Sequence, residues 1–278
     1  MDELISLKQV SFAYGRKSTC VLESIDLELG SGLIYGLLGK NGEGKTTLFR
    51  LITGMNKTTQ GEVKTLDHDP FLREPSLMGD MFLVPEEIYF PSLKAVEYAK
   101  YYGSFYPKFS LDDFLKNMEA FSVPEKQTLS SMSQGQRKKA YMAFALSCHT
   151  RILLMDEPTN GLDIPSKVKF RKMLSEAAEP SRLIIISTHQ VRDLEGLING
   201  VIVLDHHHIA LCTDADRLLE KFVFGTLGPD ETPLFKEDTH RGFRGVGLRI
   251  SSPKQSIDDL DLELLFEAAT NSDLAGLL

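Results

Sequence analysis

The chain has 278 residues, 42% hydrophobic and 25% charged, an ordinary globular balance that supports a sizeable core and a prior of about two domains. A formal charge of −8 and a pI near 5.4 argue against a broad nucleic-acid surface, and no nucleic-acid partner is expected. Cys20, Cys148 and Cys212 lie far apart without C-x-x-C spacing, which suggests neither a disulfide framework nor a zinc site. The most apolar runs fall far short of the roughly 20 residues a bilayer demands, and the acidic start Met1-Asp2-Glu3 lacks the layout of a signal peptide.

Leu4 to Tyr14 and Cys20 to Leu29 alternate apolar and polar positions between glycine breaks, so they read as strands of an antiparallel sheet. Leu33, Ile34, Leu37 and Leu38 form the next apolar run. Directly after it, Gly39 to Thr46 fits G-x-x-x-x-G-K-[ST], and Leu48, Phe49, Leu51 and Ile52 continue as a helix to about Gly54. Strand, glycine loop and helix in this order make a phosphate cradle. Gly39, Gly42 and Gly44 let the backbone wrap close to a polyphosphate, and the N–H groups of the loop and helix start, from Asn41 to Thr47, face the anion. Lys45 adds a charge at the outer phosphates and Thr46 would hold Mg2+. A turn alone would need the glycines but neither Lys45 nor Thr46.

Gly61 to Lys64 reads as a short strand, and Met81 to Val84 as a buried strand stopped by Pro85. From Pro91 to about Pro124 the spacing becomes helical, with a capping start at Ser110, and Gln134 to Cys148 predicts a further helix entered through Ser131-Met132-Ser133. Strands at Arg151–Met155, Leu183–Ile186 and Val201–Leu204 then alternate with helices expected near Ser166–Ala178 and Val191–Leu197. Alternation of this kind implies an α/β fold with a mainly parallel sheet covered on both faces, and sites at the carboxyl ends of its strands.

Ile152 to Met155 is an apolar strand whose end delivers two adjacent carboxylates, Asp156 and Glu157. Packing asks for neither; the bland alternative is a pair that caps the next helix. Beside a phosphate cradle, Asp156 would organise Mg2+ through water and Glu157 would orient or deprotonate the attacking water. On an extended segment the two would point to opposite faces.

With these residues in hand, the chain resembles the ATP-binding cassette family over approximately residues 4 to 222, a P-loop NTPase core with an antiparallel sheet and an α-helical insertion. Tyr14 matches the aromatic that stacks on adenine, and Met132-Ser133-Gln134-Gly135-Gln136 is similar to the signature L-S-G-G-Q. Asn160-Gly161-Leu162-Asp163 resembles the D-loop, and His189 matches the switch histidine that contacts the terminal phosphate. The resemblance implies ATP as the nucleotide, hydrolysis assisted by Mg2+, and a sandwich in which Ser133, Gly135 and Gln136 face the nucleotide of a second cassette. It also implies a separate integral membrane subunit, with this chain peripheral at the cytoplasmic face. Glu86 stands where many members carry glutamine; it can accept from a metal-bound water but cannot donate as an amide can. Gln134 replaces the first signature glycine. Both departures resemble exporter cassettes that pair with separately encoded membrane subunits.

The expected organisation is a cassette over residues 1–222, with a helical part at about 91–145, and an appendage over 223–278. The appendage should hold a strand at Val246 to Ile250, an acidic stretch from Asp258 to Glu263 and a short helix through Leu265, Phe266 and Ala269. His206-His207-His208 reads as a polar hairpin tip rather than a metal site, because neighbouring strand residues alternate faces. The second reading of function is a soluble ATPase of the same type acting as a mechanical clamp in translation, DNA maintenance or cofactor assembly; it lacks the paired cassettes or basic face expected there.

Overall fold

The computed structural model of the protein describes residues 2–15, 19–227, 232–239, 242–249 and 260–278. The first two strands, β1 (Glu3–Phe12) and β2 (Leu22–Gly30), pair antiparallel, and alternate residues of β2 are buried as the sequence pattern requires. β3 (Ile34–Leu38) is buried throughout and leads through the glycine loop into α1 (Lys45–Ile52). β4 (Gln60–Thr65) joins the free edge of β1 to complete the antiparallel sheet.

After a short helix, α2 (Pro75–Met78), the chain enters β5 (Met81–Val84) and then the helical region. That region contains α3 (Ala95–Gly103), α4 (Leu111–Ala120) and α5 (Gln134–Ser147). Ser110 caps α4 by accepting the Asp113 N–H at 3.1 Å. Phe82, Tyr98 and Phe144 meet edge to face between the helices and β5, with ring centroids 5.2 to 5.7 Å apart where they touch Phe144.

β6 (Ile152–Asp156), α6 (Ile164–Glu176), β7 (Leu183–Thr188) and β8 (Gly200–Asp205) follow, and β9 (His208–Asp214) returns antiparallel to β8. The main sheet runs β5-β6-β7-β3-β8-β9, parallel except for its last strand. One apolar cluster joins its first face to α1 and the antiparallel sheet, and the other joins its second face to the helical region and α6.

The hairpin expected at the histidines is present: Asp205 pairs with His208, while His206 and His207 turn the chain with φ of 44° and 68°. The helix expected over Val191–Leu197 is not. Only a single 3-10 turn, Val191–Leu194, forms before Glu195 becomes extended and Gly196 adopts a φ of 70°. The glycine supplies a left-handed conformation that ends any helix there.

Beyond α7 (Ala215–Lys221), the tail is more regular than its loop signals suggest. β10 (Phe222–Gly225), β11 (Pro233–Thr239) and β12 (Gly242–Leu248) form an antiparallel sheet in the order β10-β12-β11, and α8 (Leu262–Asn271) packs across it. The expected strand residue Ile250 and the start of the acidic stretch, Asp258 and Asp259, lie outside the described residues. Leu262, Leu265 and Ala268 of α8 belong to the same apolar cluster as Leu194, Val201 and Leu218. No helix among the described residues is long and apolar enough to cross a membrane.

Candidate nucleotide site

A cleft of about 630 Å³ opens where β3, β6 and β7 end. Its floor is the glycine loop. Gly44 has a φ of 111°, and a Cβ there would lie 2.9 Å from the Val21 carbonyl oxygen, so only glycine fits without strain. Gly44 is also the N-cap of α1 and has no side chain to cap it, which leaves the first-turn N–H groups open to an anion. A Cβ on Gly39 would meet the Leu204 carbonyl at 2.7 Å, fixing the loop tightly against β8. Asn41, Gly42, Thr46 and Thr47 also line the cleft.

Lys45 is 7% exposed, and its Nζ donates to the carbonyls of Gly39 at 2.6 Å and Lys40 at 3.1 Å. Burial holds its pKa below the ordinary lysine value, against the opposing pull of Glu157 and Asp156. These contacts arch the ammonium over its own loop.

Asp156 and Glu157 have separate partners. Asp156 Oδ2 accepts from Thr46 Oγ1 at 2.6 Å, and its other oxygen accepts from Ser187 Oγ on the neighbouring strand. The parallel register that sets Asp156 opposite Ser187 makes this pairing automatic. At Glu157 the backbone is not extended as expected: φ is 46°, a left-handed conformation that costs on the order of 1 kcal/mol or more in a non-glycine residue. Its N–H donates to the carbonyl and hydroxyl oxygens of Ser187, at 3.1 and 3.2 Å, and its carbonyl accepts from Lys138 Nζ at 2.6 Å. Those bonds hold the turn and divert the Glu157 side chain toward His189. There, Oε1 accepts the His189 N–H at 3.0 Å and lies 2.9 Å from Nδ1.

Tyr14 stands at the rim, 57% exposed, with its phenol bonded to Thr47 Oγ1 at 3.0 Å and to Arg50 at 3.3 Å. Glu86 lines the cleft and accepts from Asn160 Nδ2 at 3.4 Å. The signature residues lie elsewhere. Ser133 is exposed at the N-cap of α5, forming a reciprocal capping pair with Gln136, and Ser133, Gly135 and Gln136 do not line this cleft. Gly135 instead faces Gly161 of the following loop, where a Cβ would be 3.8 Å from the carbonyl oxygen. Asp163 is the N-cap residue of α6, with Lys139 Nζ 3.8 Å from its carboxylate.

Sequence reasoning missed Lys138. It is 6% exposed, and its Nζ also donates to the Asn160 carbonyl at 3.0 Å, tying α5 to the turn after β6. Burial lowers its pKa, with Glu86, Glu157 and Asp156 pulling the other way. One signal was available: Lys138 shares a helical stripe with Met142 and Ala145, where a cation has no reason to be unless it is paired.

Comparison with known proteins agrees with this geometry. The ABC transporter family model matches residues 22–160. The chain is 27% identical over 222 residues to the ABC transporter ATP-binding protein YtrB of Bacillus subtilis, spanning 79% of this chain and 75% of the relative. It is 30% identical over 208 residues to the ABC transporter ATP-binding protein MJ1023 of Methanocaldococcus jannaschii, spanning 73% of this chain and 75% of the relative. Its fold superposes with a TM-score of 0.67 and 21% identity on a dimeric post-hydrolysis structure of the ATP-binding cassette MJ0796 with ADP and Pi, covering 76% of this chain and 98% of that one. The cradle, the strand-end carboxylates and these matches lead to one conclusion: the chain belongs to the ABC transporter family, as an ATP-binding and ATP-hydrolysing cassette.

Proposed function

We propose that Glu157 orients and deprotonates the attacking water and that His189 contacts the terminal phosphate. The observation carrying this reading is the convergence of the open α1 N-terminus, Lys45, Asp156 and the tethered Glu157–His189 pair in one cleft. Gly39, Asn41, Gly42, Gly44, Lys45, Thr46 and Thr47 hold the phosphates, and the exposed ring of Tyr14 stacks on adenine. An uncapped helix start and a buried ammonium act together on a polyanion, where they stabilise charge spread over the transferring group.

Thr46 Oγ1 and Asp156 Oδ2, 2.6 Å apart, form an all-oxygen pair suited to a hard divalent cation that takes its other ligands from water and phosphate. Mg2+ fits that donor set, and when bound it neutralises charge on the phosphate oxygens. Glu86 is proposed to lie at the edge of that water shell.

Ser133, which is exposed, and the half-buried Gly135 and Gln136 lie beside the Asp163 loop and outside their own chain's cleft, and are proposed to serve the nucleotide of the second cassette. The test is light scattering on Glu157→Gln during gel filtration. With ATP and Mg2+ it should shift from monomer to dimer, and Ser133→Arg should abolish the shift. A persistent monomer with ATP demonstrably bound would overturn the sandwich between two copies of this chain.

Residues 91–124 are proposed as the part that passes motion to the membrane subunit, within the helical part 91–145 of a cassette of residues 1–222 followed by the appendage 223–278. The location is then peripheral, at the cytoplasmic face, and cell fractionation should find the chain in the membrane pellet only while that subunit is expressed. Export is the proposed direction, supported by Glu86 and the tail. Loss of the gene should therefore raise sensitivity to a toxic compound; a nutrient requirement instead would reverse the direction.

A further inference from the structure

The nucleotide cleft occupies the carboxyl ends of the parallel strands. At the opposite, amino ends of β6 and β7 lies a second cavity, of about 480 Å³. Lys108 and Ser110 line it from the helical region, Arg151 from the turn between α5 and β6, and Ser181 and Arg182 from the turn between α6 and β7. His149 also lines it, held by Asp113 Oδ2 at 3.0 Å from Nε2, and Glu179 is its one carboxylate. Three permanent cations thus face one carboxylate in a chain whose net charge is −8.

Arg182 is the unusual member. It is 4% exposed, and its Nη1 donates to the Ala177 carbonyl at 3.3 Å, but the buried Nε and Nη2 have no partner. The Arg151 guanidinium likewise has no bond or ion pair among the described residues. A buried guanidinium is ordinarily satisfied, because desolvating its charge and donors is costly. Its fork of N–H groups matches two oxygens of a tetrahedral oxyanion.

We propose that this cavity binds a phosphate-bearing anion, with Arg182 as the buried donor and Arg151 and Lys108 supplying charge at its mouth. Lys108 is pulled toward Asp80, 3.4 Å away, and swings to the anion from that exposed position. The hydroxyl of Ser181 is a further donor. A bound anion would join the helical region to the roots of the two strands whose far ends carry Asp156, Glu157 and His189, without touching the nucleotide.

The test uses the full chain carrying Lys45→Ala, so that the nucleotide loop contributes little to phosphate binding. Its melting temperature is followed as sodium phosphate replaces sodium chloride at constant ionic strength. The expected result is a saturable rise of about 3 °C, with at least tenfold weaker apparent affinity after Lys108→Gln and Arg151→Gln. Both substitutions lie toward the surface and spare the buried Arg182. A second arm mixes the same proteins with phosphatidylcholine vesicles containing phosphatidic acid. A response to free phosphate identifies a soluble ligand, and vesicle binding without that response identifies a lipid headgroup; either, if weakened by the double substitution, supports the site. No response in either arm, or an equal response in the double variant, overturns it and leaves water as the occupant.

Discussion

The Glu157 carboxylate holds His189 at two points, accepting the backbone N–H at 3.0 Å and lying 2.9 Å from Nδ1. Proposed base and phosphate sensor therefore move as a unit, although they follow different strands. Glu157→Gln keeps an acceptor for the His189 N–H but loses the base. Hydrolysis should fall about 10² to 10⁴-fold while ATP affinity stays within a few-fold, as read by phosphate release and equilibrium nucleotide binding. Equal hydrolysis by wild type and variant would remove Glu157 from that role.

Lys138→Met keeps the bulk of the side chain but leaves the Glu157 and Asn160 carbonyls without their shared donor. Destabilisation of about 1 to 3 kcal/mol is expected, seen as a lowered denaturant midpoint, together with slower hydrolysis. The pH dependence has a definite sign. The folded pKa of Lys138 is depressed, so the unfolded chain binds more protons in the window between that value and the ordinary lysine value of about 10.4. Stability contributed at this position therefore rises with pH there, and the deficit of Lys138→Met should widen as that window is crossed upward.

Gly44→Ala forces a Cβ onto a residue with φ of 111° and against the Val21 carbonyl. It should cost about 1 kcal/mol or more in stability and abolish ATP binding at concentrations that saturate wild type. Ala at Gly42, where φ is 91° but no atom lies within 4 Å of the added Cβ, should be the milder substitution in the same two assays.

Cys148 is buried, and burial pushes its thiol pKa up. With the protein folded at neutral pH, it should resist alkylation by iodoacetamide on a timescale that labels Cys20, and react only on unfolding. Peptide mass spectrometry distinguishes the two thiols; equal labelling in the folded state would contradict the burial.

Removing divalent cations tests the Thr46–Asp156 pair. Chelation should stop hydrolysis while a nucleotide still binds with reduced affinity, and Asp156→Asn should mimic chelation even with Mg2+ present. Full activity in excess chelator would sink the assignment.

The residues that converge in the cleft were legible because they are of types that packing does not request: Lys45 and Thr46 after glycines, and Asp156 and Glu157 at the exit of an apolar strand. The turn at Glu157 was not. It is held by a bond donated to Ser187 and one accepted from Lys138, which lie 30 and 19 residues away and have no periodicity in common. The missing helix after His189 has a local cause, since Gly196 sits within the apparent pattern. The tail sheet was hidden because its short strands are stabilised mainly by pairing with one another and by α8, and loop-forming residues punctuate the intervening sequence.

That arrangement of α8 reaches back to the segment after His189. Arg192 bonds Glu263 at 2.8 Å, and Leu194 shares its apolar surroundings with Leu262 and Leu265. A chain shortened at Phe222 would present this face to water and would be expected to aggregate even with every nucleotide motif intact. The tail thus covers the segment that leaves the site, so variation in its sequence is expected to alter turnover while leaving the nucleotide-contacting residues unchanged.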